Sequence, residues 1–216
     1  YGDCEGCGYD GEDNIVVASV DTGVFYQHEA LVRQYRGNLG GGTFDHDYNW
    51  YAPTITATNA CPGAATTPCD FAGHGSDVTG IMVGETADLE EQIGIAPHGQ
   101  WIACMGCDTP PNGCSDEALL ACADWIVAPT MVDGTNPDPD KRPHVVNNSW
   151  GDCGQSYDSW YQGSVDSWHA VGIYPVFSNG NASNCGYSYP PGLNTVGNPA
   201  RYGDVTGVGS TGQSDG

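Results

Sequence analysis

The sequence predicts an α/β fold: a doubly wound parallel sheet between two layers of helices, three layers (αβα) in all. Short apolar runs without polar alternation recur along the chain, as is typical of strands buried on both faces. Segments with helical spacing separate these runs, and repeated strand–helix–strand units form parallel sheets. No internal repeat divides the 216 residues, so we expect a single domain over residues 1–216 with one large core.

The strands are predicted from apolar runs rich in β-branched residues. The first run is followed by Asp21 and a Thr-Gly turn, and the other runs are separated by polar or glycine-rich connections. The runs occupy residues 15–20, 102–105, 145–146, 173–177 and 205–208. Two proline- or threonine-containing stretches, 59–68 and 129–143, are predicted as surface loops.

Three helices are predicted between these strands. One covers residues 76–83, just after His74. A second begins at Ser115, whose hydroxyl can cap a helix with acidic residues in its first turn, and it carries an apolar stripe of Ala118, Cys122, Trp125 and Ile126. A third is indicated by the helical stripe of Tyr157, Trp160, Tyr161, Val165 and Trp168.

The charge balance excludes two classes of partner. Five basic residues face twenty-seven acidic ones, a formal net charge of −22. Such a field repels phosphate backbones and anionic lipids, so we expect no nucleic-acid and no membrane partner. The sequence has no apolar run of eighteen residues that would predict a membrane span. Because it starts at Tyr1 without an apolar leader, we expect a mature form whose targeting segment has been removed.

The ten cysteines predict five disulfides and therefore a secreted, extracellular protein. Spacing alone leaves the connectivity open, although Cys61–Cys69 and Cys153–Cys185 are the favoured pairs. Zinc binding is the alternative, because two C-x-x-C pairs can form a tetrahedral site. Those two pairs are Cys4 with Cys7 and Cys104 with Cys107.

Two motifs indicate a catalytic Asp–His pair. Asp21 ends an apolar strand, and His74 lies between two glycines ahead of a helix. An Asp that orients a His base forms two of the three parts of a serine-protease triad. An aspartic-protease dyad would need a second such Asp, and a metalloprotease helix would need H-E-x-x-H, and neither motif is present in the sequence. Ser210 does not match the Gly-x-Ser-x-Gly nucleophile pattern.

Further candidates follow the two strands predicted at residues 145–146 and 173–177. Ligands bind at the carboxyl ends of strands in open parallel sheets, so these segments are expected to converge with Asp21. The first segment, residues 148–151, can present extended backbone to a peptide. In the second, residues 178–181, the Asn181 amide can donate to an oxyanion. Ordinary turn chemistry is the alternative for both, because Asn and Gly are common turn residues.

These motifs together resemble the subtilisin-like serine proteases (subtilases). The matching stretches are residues 17–24, 73–80, 93–97, 146–151 and 175–181. They occur in the chain order of that family, and residues 147–151 and 171–178 look most like its bacillopeptidase F branch. The resemblance implies a subtilisin-like fold and a secreted serine endopeptidase that hydrolyses peptide bonds of peptide or protein substrates.

The resemblance also implies a role for individual residues. Asp21 would orient the base, His74 would act as general base and acid, and Asn181 would donate to the oxyanion. The primary specificity pocket would be lined by Ser149, Trp150 and Gly151 on one side and by Ser178, Asn179 and Gly180 on the other. Gly113 would lie near the strand that pairs with substrate. No cofactor is implied for the chemistry; a structural Ca²⁺ ion is compatible with the resemblance, and no site is assigned to it.

Three departures from the family pattern stand out. Asp77 replaces a second His, and Ala30 replaces an acid of the usual calcium site. The Gly-Thr-Ser-Met-Ala motif is absent. We therefore expect the nucleophilic Ser on a segment beyond Gly216, carried by an associated C-terminal fragment, so that residues 1–216 lack the C-terminal portion of the domain. A catalytically inactive module that binds peptides or inhibits is the alternative.

Overall fold

A six-stranded parallel sheet forms the centre of the computed structural model, which describes residues 15–53, 61–86, 92–108, 113–154, 156–181, 184–187 and 192–210. The described strands are β1 (Val16–Asp21), β2 (Asn38–Gly40), β3 (Thr43–Phe44), β4 (Trp50–Tyr51), β5 (Gln100–Met105), β6 (Val145–Asn148), β7 (Tyr174–Ser178) and β8 (Thr206–Val208). The sheet order is β4-β5-β1-β6-β7-β8, and β2 pairs with β3 in a small antiparallel ribbon.

Strand β1 lies inside the sheet and is paired on both sides. All six of its residues are buried, and it pairs in parallel with β5 on one side and β6 on the other. Asp21 lies opposite Met105 at the carboxyl end of this ladder. The predicted strand at residues 15–20 is thus present but shifted by one residue, so Asp21 belongs to the strand itself.

Helices cover the sheet on both faces, which confirms the predicted α/β architecture. They are α1 (His74–Val83), α2 (Asp116–Val127) and α3 (Gln162–Ala170), and a 3-10 turn spans Pro139–Lys141. On one side α2 and α3 enclose a core that includes Val146, Trp168 and Phe177. On the other side, α1 and the loops beside it enclose a core around Trp50 and Trp101. No helix in the described part of the chain is long and apolar enough to cross a membrane.

The helix boundaries differ from the sequence prediction in two places. Helix α1 starts at His74 rather than at residue 76. Helix α3 starts at Gln162, so the predicted stripe from Tyr157 is only partly helical. The preceding segment is held by other bonds: the Trp160 amide donates to the Asp158 carboxylate, and the Tyr161 amide donates to the Tyr202 hydroxyl. The helix at Ser115 is confirmed, because the Ser115 hydroxyl accepts from the Ala118 amide at 3.2 Å.

Three short strands, β2, β3 and β4, were not anticipated. Two or three residues are too few to show a period in sequence. Strand β4 nevertheless extends the sheet beside β5, and its Trp50 is fully buried. The indole N–H of Trp50 donates to the Ala64 carbonyl at 2.6 Å, which fixes the loop before α1.

The first turn of α1 lies directly against the end of β1. A Cβ atom placed on Gly75 would come within 2.0 Å of the Gly23 carbonyl oxygen and 3.2 Å of the Asp21 Cβ. Only glycine permits this approach, because real Cβ atoms do not come so close to backbone. The consequence is that His74, the first residue of α1, is brought next to Asp21.

Two glycines of α1 should respond in opposite ways to alanine. Gly75→Ala should destabilise the protein by about 1–3 kcal/mol, because the methyl group meets the Gly23 carbonyl and pushes α1 from β1. Gly80→Ala, the matched control, has open space around its Cβ and should stabilise by ~1 kcal/mol through helix propensity. Urea denaturation of both variants checks the prediction, and an equal effect of the two substitutions would contradict it.

Candidate active site

The carboxyl ends of three neighbouring strands meet at one cleft. Asp21 ends β1, Ser149 follows β6, and Gly180 and Asn181 follow β7. His74 reaches the same cleft from the start of α1. The cleft has a volume of about 380 Å³. The sheet topology therefore brings together segments that are more than 150 residues apart in sequence.

Asp21 and His74 form a hydrogen-bonded pair at the base of this cleft. The Asp21 side chain is 1% exposed, and its Oδ1 atom lies 2.7 Å from His74 Nδ1. A carboxylate only accepts, so Nδ1 carries the proton and Nε2 is left as the basic nitrogen. The His74 side chain is 54% exposed, so it can meet a reactant in the cleft.

The environment raises the pKa of His74 above its ordinary value. The hydrogen bond to Asp21 is the largest cause, since it stabilises the imidazolium form. Partial burial acts in the opposite direction, and the negative charges of Asp21, Asp70 and Asp77 add to the increase. A His with a raised pKa keeps its proton to higher pH, so it becomes a free base only above that pKa.

The two walls of the cleft come from the segments after β6 and β7. Ser149, Trp150 and Gly151 line one wall, and Ser178, Gly180 and Asn181 line the other. The Ser178 hydroxyl lies 3.5 Å from the Trp150 carbonyl oxygen across the gap. The Trp150 ring packs edge-on against Tyr161 and Phe177, which anchors the first wall in the core.

Two residues predicted to bind substrate do not line the described cleft. The Asn179 side chain lies instead beside β8: a Cβ on Gly207 would come within 2.5 Å of its Oδ1, and one on Gly209 within 3.0 Å of its Nδ2. Gly113 precedes Cys114, and Cys114 rather than Gly113 borders the cleft. Ser210 follows β8 and is also not among the described residues that line the cleft.

Two disulfides border the cleft, a feature that sequence reasoning missed. Cys153–Cys185 joins the segments that follow Gly151 and Asn181, and Cys107–Cys114 joins two residues between β5 and α2. Both favoured pairs, Cys61–Cys69 and Cys153–Cys185, are confirmed. The even cysteine count indicated disulfides, but their place at the cleft depends on the fold.

The zinc alternative is wrong for the described cysteines. Cys104 pairs with Cys122 and Cys107 with Cys114, and none of the described cysteines is free. Cys4 and Cys7 lie outside the described residues. In the part of the chain that the structure describes, no group of three or more His, Cys, Asp or Glu side chains is arranged to hold a metal ion.

Sequence reasoning also missed Asn198, which binds Asp152, a residue that lines the cleft. Asn198 is buried, and its backbone N–H donates to Asp152 Oδ1 at 2.7 Å while its side-chain amide also binds the Asp152 carboxylate. Burial opposes ionisation of Asp152, but these bonds, the Gly154 amide and the charge of Arg201 together lower its pKa. No local pattern marks Asn198, because its partner lies 46 residues away.

The two histidines with shifted pKa values should titrate in opposite directions. In an NMR titration His74 should protonate at a higher pH than His46, whose pKa is lowered by burial despite the charges of Asp45 and Asp47. Asp21→Asn should lower the pKa of His74 and leave that of His46 in place. A His74 pKa that does not respond to Asp21→Asn would contradict the pair described above.

Comparison with known proteins identifies the relatives of this chain. The Subtilase family model (Peptidase_S8) matches residues 12–216. Bacillopeptidase F of Bacillus subtilis (strain 168) is 40% identical over 206 residues, covering 94% of this chain and 13% of that protein. Minor extracellular protease Vpr of the same strain is 28% identical over 205 residues, covering 94% of this chain and 21% of that protein.

Solved structures show the same fold. The prenylagaramide maturation protease PagA superposes with a TM-score of 0.59 at 16% identity, covering 94% of this chain and 56% of that chain. Sphericase superposes with a TM-score of 0.57 at 21% identity, covering 90% of this chain and 52% of that chain. This chain therefore spans about half the length of these two solved structures and a smaller share of the two Bacillus relatives.

Proposed function

Because this chain belongs to the subtilase family, we propose that it is the Asp–His part of the catalytic domain of a secreted serine endopeptidase. The observation that carries the proposal is the Asp21–His74 hydrogen bond of 2.7 Å in a cleft whose walls end at Asn181. An inactive peptide-binding module would have no need for a buried acid that orients an exposed imidazole. The family match and the pair support the same reaction class.

The proposed reaction is acyl transfer from a peptide bond. His74 Nε2 takes the proton of a Ser hydroxyl as that oxygen attacks the carbonyl carbon of the substrate, and the imidazolium then gives the proton to the leaving amine. Asp21 holds Nδ1 and stabilises the imidazolium without taking its proton. The Asn181 amide donates to the oxyanion of the tetrahedral intermediate. Water then hydrolyses the acyl-enzyme by the same steps in reverse, and the chemistry uses no cofactor.

The nucleophilic Ser is proposed to lie beyond Gly216, on an associated C-terminal fragment of the same precursor. The burial of the sheet supports this arrangement. On the face covered by α2 and α3, Val146 and Phe177 are fully buried. On the opposite face Tyr174 is 54% and Val208 51% exposed.

This open sheet face (Val145, Tyr174, Val176 and Val208) suits a segment that carries the Ser. The strand register also places three polar side chains on this face (Asn147, Ser178 and Thr206), but the four named side chains are apolar or aromatic, and such a surface on a parallel sheet is normally covered by helices. It belongs to β6, β7 and β8, which follow β1 in the sheet order, and it lies on the same side of the sheet as α1. A segment docked there completes the core and brings a hydroxyl to His74 Nε2.

Secretion is proposed on the cysteine chemistry. The four disulfides of the described residues are of a kind that forms and persists in oxidising compartments. One relative is by its name an extracellular protease. The proposed substrates are peptides or proteins, because the walls of the cleft include the exposed residues Gly151 and Gly180, whose backbone can pair with an extended chain. A structural Ca²⁺ ion remains a further proposal without an assigned site.

A fluorophosphonate should label a Ser beyond residue 216 in the complete protein and leave residues 1–216 unlabelled. Asp21→Asn should reduce turnover by about four orders of magnitude, as the loss of the orienting acid does in serine proteases, because His74 then adopts the wrong tautomer. Peptide mapping of the labelled protein and hydrolysis of a peptide substrate give the measurements. Label on Ser210, or peptide binding without any label, would contradict the proposal and favour the inactive module.

Asn181→Leu should lower kcat by roughly a hundred- to a thousand-fold with KM little changed, because one oxyanion donor is worth that much in serine proteases of this class. Steady-state kinetics on a peptide substrate separate the two parameters. Asn181→Asp is the matched variant, since it keeps the size of the side chain but replaces the NH₂ donor. Equal kcat in wild type and Asn181→Asp would mean that the amide does not serve the oxyanion.

A further inference from the structure

Asp70 lies between the strand that carries Asp21 and the helix that carries His74. Its Oδ1 atom accepts from the Thr22 hydroxyl at 2.8 Å, from the Gly73 amide at 2.8 Å and from the Ala72 amide at 3.1 Å. Its Oδ2 atom accepts from the amide of Ser76 at 2.8 Å and from the hydroxyl of the same residue at 2.7 Å. Both carboxylate oxygens are thus bound: Oδ1 joins Thr22 to the residues just before α1, and Oδ2 binds Ser76 in the first turn of α1.

Asp70 supplies a cap that the first turn of α1 lacks. The first amides of a helix have no partner within it, and a side chain at the N-cap position normally accepts from one of them. Here the N-cap is Gly73, with φ +86° and no side chain. Instead, the Asp70 carboxylate accepts a hydrogen bond from the Ser76 amide, and the Thr22 hydroxyl oxygen accepts one from the Gly75 amide at 2.9 Å.

The same bonds reach the acid of the catalytic pair. The Thr22 amide donates to Asp21 Oδ1 at 2.7 Å, and this oxygen is the one that binds His74. Thr22 is buried, so its hydroxyl is held between Asp70 and Gly75. The bonds therefore form a closed ring that runs from Asp21 through Thr22 and Asp70 to the first turn of α1 and back through His74.

We propose that Asp70 is a positioning residue for the catalytic pair, which holds the first turn of α1 on the end of β1 and so keeps His74 hydrogen-bonded to Asp21. This inference rests on the proposed function. Asp70 acts through Thr22 and Ser76. A displacement of about 1 Å at a reacting group costs on the order of a hundredfold in rate, so the fit of this junction sets kcat rather than substrate binding.

The decisive comparison is between two carboxylates near His74. Asp70→Asn places an amide NH₂ where the Asp70 carboxylate now accepts, so the ring of bonds is broken. Asp77→Asn is the matched control: it removes a charge that also acts on His74, from the exposed side of the same helical turn. In the complete protease, Asp70→Asn should lower kcat tenfold to a hundredfold with KM within twofold. Asp77→Asn should keep kcat within threefold at a pH where His74 is neutral.

A spectroscopic measurement tests the inference without turnover. The His74 Nδ1 proton, which lies in the hydrogen bond to Asp21, should give a downfield ¹H resonance in wild type and in Asp77→Asn and should broaden or disappear in Asp70→Asn. If wild type shows this resonance but no hydrolysis, the proposed function fails while the positioning role is still tested. An unchanged resonance and unchanged kcat in Asp70→Asn would overturn the inference, as would equal losses of kcat in both variants.

A second pair of variants covers the case in which Asp70→Asn does not fold. Thr22→Ser keeps the hydroxyl that joins Asp70 to the Gly75 amide, whereas Thr22→Val removes it at nearly constant size. Thr22→Val should reproduce the loss of kcat and of the downfield resonance. Thr22→Ser should keep the resonance and a kcat within threefold of wild type. Equal behaviour of the Ser and Val variants would show that the ring of bonds does not position His74.

Discussion

The contact between the end of β1 and the first turn of α1 is the constraint on which the site depends. A helix starts with backbone amides that have no acceptor within the helix. In this protein, two of these amides find acceptors at the junction with β1. Gly75 lets the helix approach the Gly23 carbonyl, and the side chains of Thr22 and Asp70 accept from the amides of Gly75 and Ser76. The pairing of Asp21 with His74 follows from that junction.

The rest of the cleft is built by the other strand ends and is held by cross-links. Trp150 anchors one wall in the aromatic core beneath it, and Cys153–Cys185 joins the segments that continue the two walls. A second disulfide, Cys107–Cys114, closes the connection between β5 and α2. A site on loops is normally mobile, and these attachments to the core and to each other limit how far the walls can separate.

Negative charge around the imidazole has a chemical consequence. Asp21, Asp70 and Asp77 all favour the protonated form of His74, and partial burial only partly opposes them. An imidazolium forms when the base takes the proton of a hydroxyl, so the Asp21 carboxylate, which is hydrogen-bonded to His74 Nδ1, stabilises the charge that develops during the proposed reaction. The cost is that the free base is available only at a pH above the raised pKa.

Much of the fold and the pair of Asp21 and His74 could be predicted from the sequence, because the patterns that indicate them are local. The apolar run before Asp21 predicts a buried strand, Ser115 followed by acids predicts a helix start, and glycines around His74 predict a close backbone approach. The residues that hold this pair and the cleft walls in place could not be predicted. Thr22 and Asp70 are 48 residues apart, and Asp152 and Asn198 are 46 apart. Such hydrogen bonds have no period in sequence, since only the packing of the chain brings donor and acceptor within 3 Å.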